Sequence, residues 1–163
     1  MKKILVVFSI FCLGFMFSPL SAMAYEGEFI IANGAEPQGI DPALTEGVPE
    51  HQIYMALFEG LTTYDPKTAD PIPGLAKSWV VSNGGKTYTF KLRNAKWNDG
   101  VPITAQTVVE SWLRFLDPAT AAPYAWFPNM FIAGAEDYNG GKAGKEAVGI
   151  RALDRMTFQM DLI

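Results

Sequence analysis

The spacing of apolar and polar positions changes along the chain, and each spacing predicts a different secondary-structure element. Residues 28–34, "EFIIANG", are continuously apolar before Asn-Gly, which is typical of a buried strand. From Pro49 to Glu59 the apolar side chains recur at helical spacing, and Pro49 suits a first turn. We expect one stripe of this helix to pack against the core; it comprises Ile53, Tyr54, Leu57 and Phe58.

The stretch "WVVSNGGKTYTFKLR", residues 79–93, gives the clearest hairpin pattern. Asn83-Gly84-Gly85 supplies the positive-φ positions of a tight turn. The strand that follows alternates between an apolar face, formed by Tyr88, Phe90 and Leu92, and a polar one. A second turn is predicted at residues 98–100, "NDG", and a closing hairpin turns near Asp154-Arg155.

A second helix is predicted after Thr104, whose hydroxyl can cap it, and Asp117-Pro118 ends it. Three prolines between residues 66 and 73 exclude a helix there, and residues 118–147 are loop-rich with short helical pieces. The order of strand, helix, strands, helix, strands predicts an α/β fold with a mixed sheet. The second helix should bury Val108, Val109, Trp112, Phe115 and Leu116.

The first 24 residues have the pattern of a secretory signal. Lys2 and Lys3 precede an apolar run from Ile4 to Phe17, and Ala22-Met23-Ala24 is a small-x-small cleavage triplet. We expect cleavage after Ala24, with a retained anchor as the alternative, although the run is shorter than the about 20 residues of a membrane span. The only cysteine of the chain would leave with this segment.

Export without cysteines indicates a bacterial envelope protein with a sizeable core, in the periplasm. Loss of Lys2 and Lys3 takes the 13 basic residues to 11 against 17 acidic ones, which argues against nucleic acid or an anionic membrane as partner. The apolar alternation after residue 156 stops at Ile163 in mid-strand, so we expect a longer protein of which this is the front part.

No enzyme signature stands out, and we predict no catalytic residue, no metal site and no cofactor. The chain has one histidine, His51, no G-x-S-x-G and no phosphate-binding loop. A secreted hydrolase using Glu46 and Glu50 is a low-ranked alternative. We expect Glu50 and His51 to lie in the solvated first turn of the helix, where paired charges are common. The aromatic run Tyr124, Trp126 and Phe127 is expected to pack in the core, with ligand contact by Tyr124 as the alternative.

Several stretches together resemble the periplasmic oligopeptide-binding proteins of bacterial ABC importers, solute-binding family 5. They are "EPQGIDPALTEGVPE", "LFEGL", "PIPGLAKSW", "TYTFKLRNAKWNDGVPITAQTVVESW" and "LDPATAAPYAWF", in order from residue 36. The resemblance implies a periplasmic-binding-protein-like fold of two lobes with a small extra α/β domain. Residues 25–57 would then begin lobe I, and residues 58–163 would form the extra domain and start the return.

The resemblance also implies a function and a site. A monomer of two lobes would close on an oligopeptide and deliver it to an inner-membrane ABC permease. Glu46, Gly47 and Val48 would present main-chain groups to the extended peptide, Glu46 would help to accept basic residues, and Tyr124 would line the cleft mouth. Relatives of the same fold bind other ligands, so dipeptides, nickel, haem or an oligosaccharide are alternative ligands. A surface receptor without a transport role is another alternative.

Overall fold

The computed structural model describes residues 32–163. The predicted signal, with its cleavage residues Ala22 and Ala24, lies outside the described residues. So does most of the predicted strand at 28–34, whose described part, residues 32–34, carries no strand. Residues 33–163 form one compact unit. The proposed boundary between residues 57 and 58 stays a prediction.

The first helix, α1, spans Val48–Leu57, close to the predicted Pro49–Glu59. It begins after Gly47, has a proline in its first turn, and ends where Phe58 becomes extended. Its predicted apolar stripe does not pack as expected: Leu57 and Phe58 are exposed, and Ile53 and Tyr54 are only half-buried. The expectation of a packed stripe is therefore wrong for the described residues, which provide no cover for this face.

Two short strands follow and pair with each other. β1, Thr62–Tyr64, and β2, Pro71–Pro73, run antiparallel with Thr63 opposite Ile72. Pro71 and Pro73 lack an N–H, and prolines are confined to edge positions of sheets, which is where β2 lies in this pair. The predicted exclusion of a helix from this segment is confirmed.

The main sheet has four strands in the order β3, β4, β6, β5. β3, Ala76–Ser82, and β4, Thr87–Leu92, form the predicted hairpin around a one-turn 3-10 helix at Asn83–Gly85. β5, Ile150–Asp154, and β6, Thr157–Asp161, form the closing hairpin. β6 inserts between β4 and β5, which places Phe90 opposite Phe158.

Every strand pair within residues 32–163 is antiparallel, so the α/β class is confirmed but the parallel pairing of a mixed sheet does not occur there. Tight turns join β3 to β4 and β5 to β6, and such turns connect antiparallel neighbours only. The long connection after β4 delivers β5 to the outer edge. β6 then returns between them, which keeps the two like-directed strands apart.

The second helix, α2, spans Ala105–Leu116 and covers the β5–β6 side of the sheet. Thr104 caps it as predicted: its hydroxyl accepts from the Thr107 N–H, and the Thr107 hydroxyl accepts from the Thr104 N–H. The apolar faces of helix and sheet form the core. Its buried members include Leu92, Val109, Leu116, Ile132, Ile150, Phe158 and Met160.

The connection from α2 to β5 is built from short helical turns, as predicted. α3 spans Trp126–Asn129 and α4 spans Ala135–Asn139. Single 3-10 turns occur at Pro118–Thr120 and Lys145–Ala147. Within residues 32–163 no helix has the length and apolar character that a membrane crossing requires.

Candidate functional site

The loop from Gln38 to Gly47, here the 38–47 loop, folds around Asp41. The Asp41 carboxylate accepts the Ala43 N–H at 3.0 Å, and its carbonyl accepts the Leu44 N–H at 3.0 Å. The same carbonyl also accepts from the Thr45 hydroxyl at 3.1 Å. These bonds close a turn, so a segment without regular secondary structure has a defined shape.

Two helices hold this turn from outside. On α1, the Tyr54 hydroxyl donates to the Asp41 carbonyl at 3.2 Å. On α2, Arg114 makes two parallel bonds of 3.0 and 2.5 Å to the Asp41 carboxylate. Paired guanidinium–carboxylate bonds fix orientation as well as distance. The loop is therefore anchored to both α1 and α2.

Charge and burial shift the pKa of these groups in opposite ways. The Arg114 guanidinium and the Ala43 N–H hold the pKa of the Asp41 carboxyl below its usual value. Burial raises the pKa of the Tyr54 phenol, and the negative charges of Glu50 and Asp41 add to that rise. At neutral pH Asp41 is thus ionised and Tyr54 keeps its proton, as the hydrogen bonds require.

The Asp41–Arg114 pair makes stability depend on acid pH. Replacing Asp41 with asparagine keeps the acceptor for Ala43 but removes the ionic bond, and we expect a loss of at most about 1 kcal/mol, because the pair is half-exposed and screened. Because folding lowers this pKa, the contribution is full above the unfolded value of 3.8 and disappears as pH falls through the lower folded value. Urea unfolding at neutral pH and at about pH 2 would measure both.

Glu36 provides the control for this experiment. It is exposed and forms no ion pair within residues 32–163. Glu36→Gln should leave the free energy of unfolding unchanged at both pH values. A gap between the wild type and Asp41→Asn that persisted at low pH would contradict the role of the ion pair.

Glu50 lies in the first turn of α1, but it is buried and not solvated as expected. Only 3% of it is exposed, and its carboxylate accepts the Gln38 N–H at 2.7 Å across the loop. The expected solvated first turn is therefore wrong for Glu50, although His51 is exposed. Glu46 is exposed too, so the two glutamates lie in different environments, which does not favour the paired use that the hydrolase alternative requires.

The predicted binding residues Glu46, Gly47 and Val48 are all exposed on the surface. Gly47 has φ 126° and ψ 165°, a conformation that is essentially restricted to glycine. Its carbonyl already accepts the His51 N–H at 3.1 Å. Within residues 32–163, the N–H groups of Glu46 and Gly47 and the Glu46 carbonyl have no hydrogen-bond partner.

Tyr124 and its neighbours lie on the surface and not in the core. Tyr124 is 45% exposed, Trp126 55% and Phe127 57%, so the expectation of core packing is wrong. The three rings contact one another in sequence, with centroids 6.4 and 5.7 Å apart. They form an aromatic surface, which favours the alternative of ligand contact for Tyr124.

One end of α2 brings the two predicted parts of the site to the same region. There Arg114 binds Asp41 of the 38–47 loop. At the same end the Leu116 carbonyl accepts from Asn139, whose side-chain oxygen accepts from Asn129 of α3, both at 2.9 Å. The loop and the aromatic surface are thus attached to the same turn of α2.

A cavity of about 760 Å³ lies between the end of α1 and the first turns of α2. Its walls are mostly apolar, and none of the four predicted site residues lines it. No group of three metal-ligating side chains occurs within residues 32–163. The lining includes Phe58, Leu61, Leu75, Trp97, Ile103, Val108 and Trp112.

Comparison with known proteins identifies the family. Residues 70–163 match the family described as "Bacterial extracellular solute-binding proteins, family 5 Middle". The chain belongs to this solute-binding family. The matched residues run from just before β2 through β6, so the antiparallel sheet and α2 are the part of the fold that carries the match.

Named family 5 relatives agree with this assignment. The chain is 40% identical over 162 residues to the periplasmic oligopeptide-binding protein OppA of Haemophilus influenzae, covering 94% of this chain and 30% of that protein. It is 43% identical over 129 residues to the periplasmic murein peptide-binding protein MppA of Escherichia coli, covering 78% of this chain and 24% of that one. The chain thus spans less than a third of the length of either relative.

A solved family 5 structure has the same fold over most of the chain. The crystal structure of Haemophilus influenzae OppA in complex with RPPGFSPFR superposes with a TM-score of 0.74 at 44% identity. The superposition covers 79% of this chain and 25% of that one. The predicted family and the periplasmic-binding-protein-like fold are therefore confirmed.

Sequence reasoning missed the three side chains that shape the loop. The Glu50–Gln38 and Asp41–Arg114 contacts join residues 12 and 73 positions apart in sequence, which no local pattern encodes. The one available signal was "TEGVPE" itself, because a glycine before a helix whose third residue is glutamate can let that side chain fold back.

Proposed function

We propose that this chain contributes one wall of the ligand cleft in a periplasmic solute-binding subunit of an ABC importer, which captures oligopeptides and delivers them to a membrane permease. The observation that carries this is a set of three backbone groups, the N–H groups of Glu46 and Gly47 and the Glu46 carbonyl, which have no hydrogen-bond partner within residues 32–163. They belong to a chain that is 40% identical to an oligopeptide-binding protein. The protein acts by binding, as a monomer, and not as an enzyme.

Backbone recognition accounts for capture of many peptide sequences. A peptide lying extended beside Glu46–Val48 would pair with the Glu46 N–H and C=O and the Gly47 N–H, as an added strand would. Such bonds read no side chains, and each contributes about 1 kcal/mol net. Micromolar binding corresponds to about 8 kcal/mol, so this wall alone is insufficient and a second lobe must contribute.

Side chains of the same wall would adjust preference. The exposed carboxylate of Glu46 suits a basic residue of the peptide, and the half-exposed ring of Tyr124 offers an apolar face. Closure of two lobes favours the bound state because only that state contacts both lobes. This supports clamshell capture in an interlobe cleft.

A chimera would test the proposal. Residues 25–163 of this chain would replace the matching part of Haemophilus influenzae OppA, and calorimetry would measure binding of RPPGFSPFR, the peptide in that relative's crystal structure. We expect micromolar or tighter binding by the chimera and no measurable binding by the 163-residue chain alone.

Controls separate failure to bind from failure to fold. The chimera should unfold cooperatively, and OppA lacking the replaced part should not bind the peptide. A folded chimera that ignores RPPGFSPFR and tri- to pentapeptides but takes up nickel, haem or an oligosaccharide would overturn oligopeptide capture. Micromolar peptide binding by the chain alone would contradict the need for a second lobe.

A further inference from the structure

Glu50 is a buried charge with no basic partner among residues 32–163. It is 97% removed from solvent, and none of the ion pairs in that part of the chain includes it. Burial of an ionised carboxylate is unfavourable unless hydrogen bonds and local dipoles compensate. The groups that offset the burial of Glu50 should therefore lie close to its carboxylate.

The Glu50 carboxylate contacts both ends of the 38–47 loop. One oxygen, Oε1, accepts the Gln38 N–H at 2.7 Å. The other, Oε2, lies 2.7 Å from the position that a Cβ on Gly47 would occupy. The same side chain therefore ties down the start of the loop and fills the space beside the α-carbon at its end.

The position of Glu50 in α1 explains why an acid serves here. It is the third residue of the helix, where unpaired N–H groups and the helix dipole favour negative charge. A charged acceptor also bonds an N–H more strongly than a neutral one. An aliphatic side chain would fill the same space without holding the Gln38 N–H.

We infer that Glu50 is a positioning residue for ligand binding: its carboxylate closes the 38–47 loop and thereby sets the conformation in which Glu46 and Gly47 present their backbone groups. The inference rests on the proposed function, since it assigns Glu50 a role in that same site without contact to the peptide. Asp41 shapes the middle of the loop, and Glu50 joins its two ends.

Affinity measurements on the OppA chimera test this. Glu50→Ala removes both contacts, and we expect peptide affinity to fall about tenfold, the equivalent of one lost charged hydrogen bond. Glu50→Gln keeps an oxygen for the Gln38 N–H and should remain within about threefold of the wild type. Glu110→Ala, an exposed glutamate on α2, is the matched control and should change nothing.

The measurement temperature separates positioning from stability. Well below the unfolding midpoint every variant is almost entirely folded, so a purely structural role would lower the midpoint but leave the dissociation constant unchanged. If the wild-type and Glu50→Ala chimeras bind the peptide with equal affinity, the inference is overturned and the proposed function stays intact. A wild-type chimera that fails to bind would instead contradict the proposed function.

Two further readouts test the geometry directly. The effects of Gly47→Ala and Glu50→Ala on peptide affinity should be non-additive. Removal of the carboxylate relieves the contact that the new Cβ makes with Oε2. In the chain without ligand, NMR order parameters of Glu46 and Gly47 should fall below about 0.6 in Glu50→Ala and stay near 0.85 in Glu50→Gln. Additive losses or an unchanged order parameter in Glu50→Ala would overturn the positioning role.

Discussion

A chain in which alanine replaces Gly47 should lose at least about tenfold in peptide affinity when it forms part of the OppA chimera. Two separate causes lead to this expectation. At φ 126° an alanine is strained, and its Cβ would approach Glu50 Oε2 to 2.7 Å. The Glu50 side chain can shift away from the new Cβ, but the strain at φ 126° is relieved only by moving the backbone of Glu46 and Gly47, the groups that we propose bind the peptide.

Calorimetry with RPPGFSPFR would measure the loss, and Gly84→Ala is the matched control. Gly84 also has positive φ, 63°, but it lies in the β3–β4 turn and nothing stands within 4 Å of its added Cβ. It should lower the free energy of unfolding by about 1–2 kcal/mol without changing affinity. Equal affinities for the wild type and Gly47→Ala would argue against backbone recognition at this segment.

Phe158→Ala should destabilise the protein by about 3–5 kcal/mol, a large part of the stability of an ordinary domain. Phe158 is fully buried in the central strand β6, and its ring stacks on Phe90 of β4 at a centroid distance of 6.0 Å. Removal of the ring leaves a cavity between the sheet and α2 that rigid neighbours fill only in part. Urea unfolding monitored by circular dichroism would measure the change.

Phe127→Ala is the companion variant, because the same side chain is removed from a site that is 57% exposed. It should cost much less than Phe158→Ala. Similar losses for the two phenylalanines would mean that the sheet–helix core is not the main source of stability. Full unfolding of Phe158→Ala at room temperature would agree with the prediction.

Local chemistry was enough to predict the elements whose geometry depends on a few adjacent residues. Asn83-Gly84-Gly85 predicted the β3–β4 hairpin because tight turns need positive φ, and the structure confirms both. Thr104 predicted the start of α2 because its hydroxyl satisfies an end amide, which is also confirmed. The pairing of β6 with β4 depends on residues about 70 positions apart and had no such local signal.

Burial was predicted less well than secondary structure, for a physical reason. Helical spacing shows that Leu57 and Phe58 share a face, but it does not show whether other residues cover that face. Their aromatic character likewise led to the prediction that Tyr124 and Trp126 pack in the core, although both lie on the surface. Glu50 was missed in the opposite direction, because its burial depends on a loop folding back over α1.

The site residues themselves came from resemblance and stay predictions. The structure adds that Glu46, Gly47 and Val48 are accessible, and that Tyr124 lies on a surface held by the same turn of α2 as the 38–47 loop. Composition could not have supplied these residues, because exposed backbone amides leave no mark on the pattern of side chains. The anchoring contacts become visible only once α2 is placed.

The strand order β3, β4, β6, β5 constrains how the sheet can assemble. The β3–β4 hairpin closes over a few residues and can form at once, but β4 gains its second neighbour only when Thr157–Asp161 arrives. Closing so long a loop has an entropic cost, and contacts between residues distant in sequence lower the folding rate. Nascent chains should therefore pass through a stage in which the α2 residues lack their sheet, leaving Val109 and Leu116 exposed until β5 and β6 are in place.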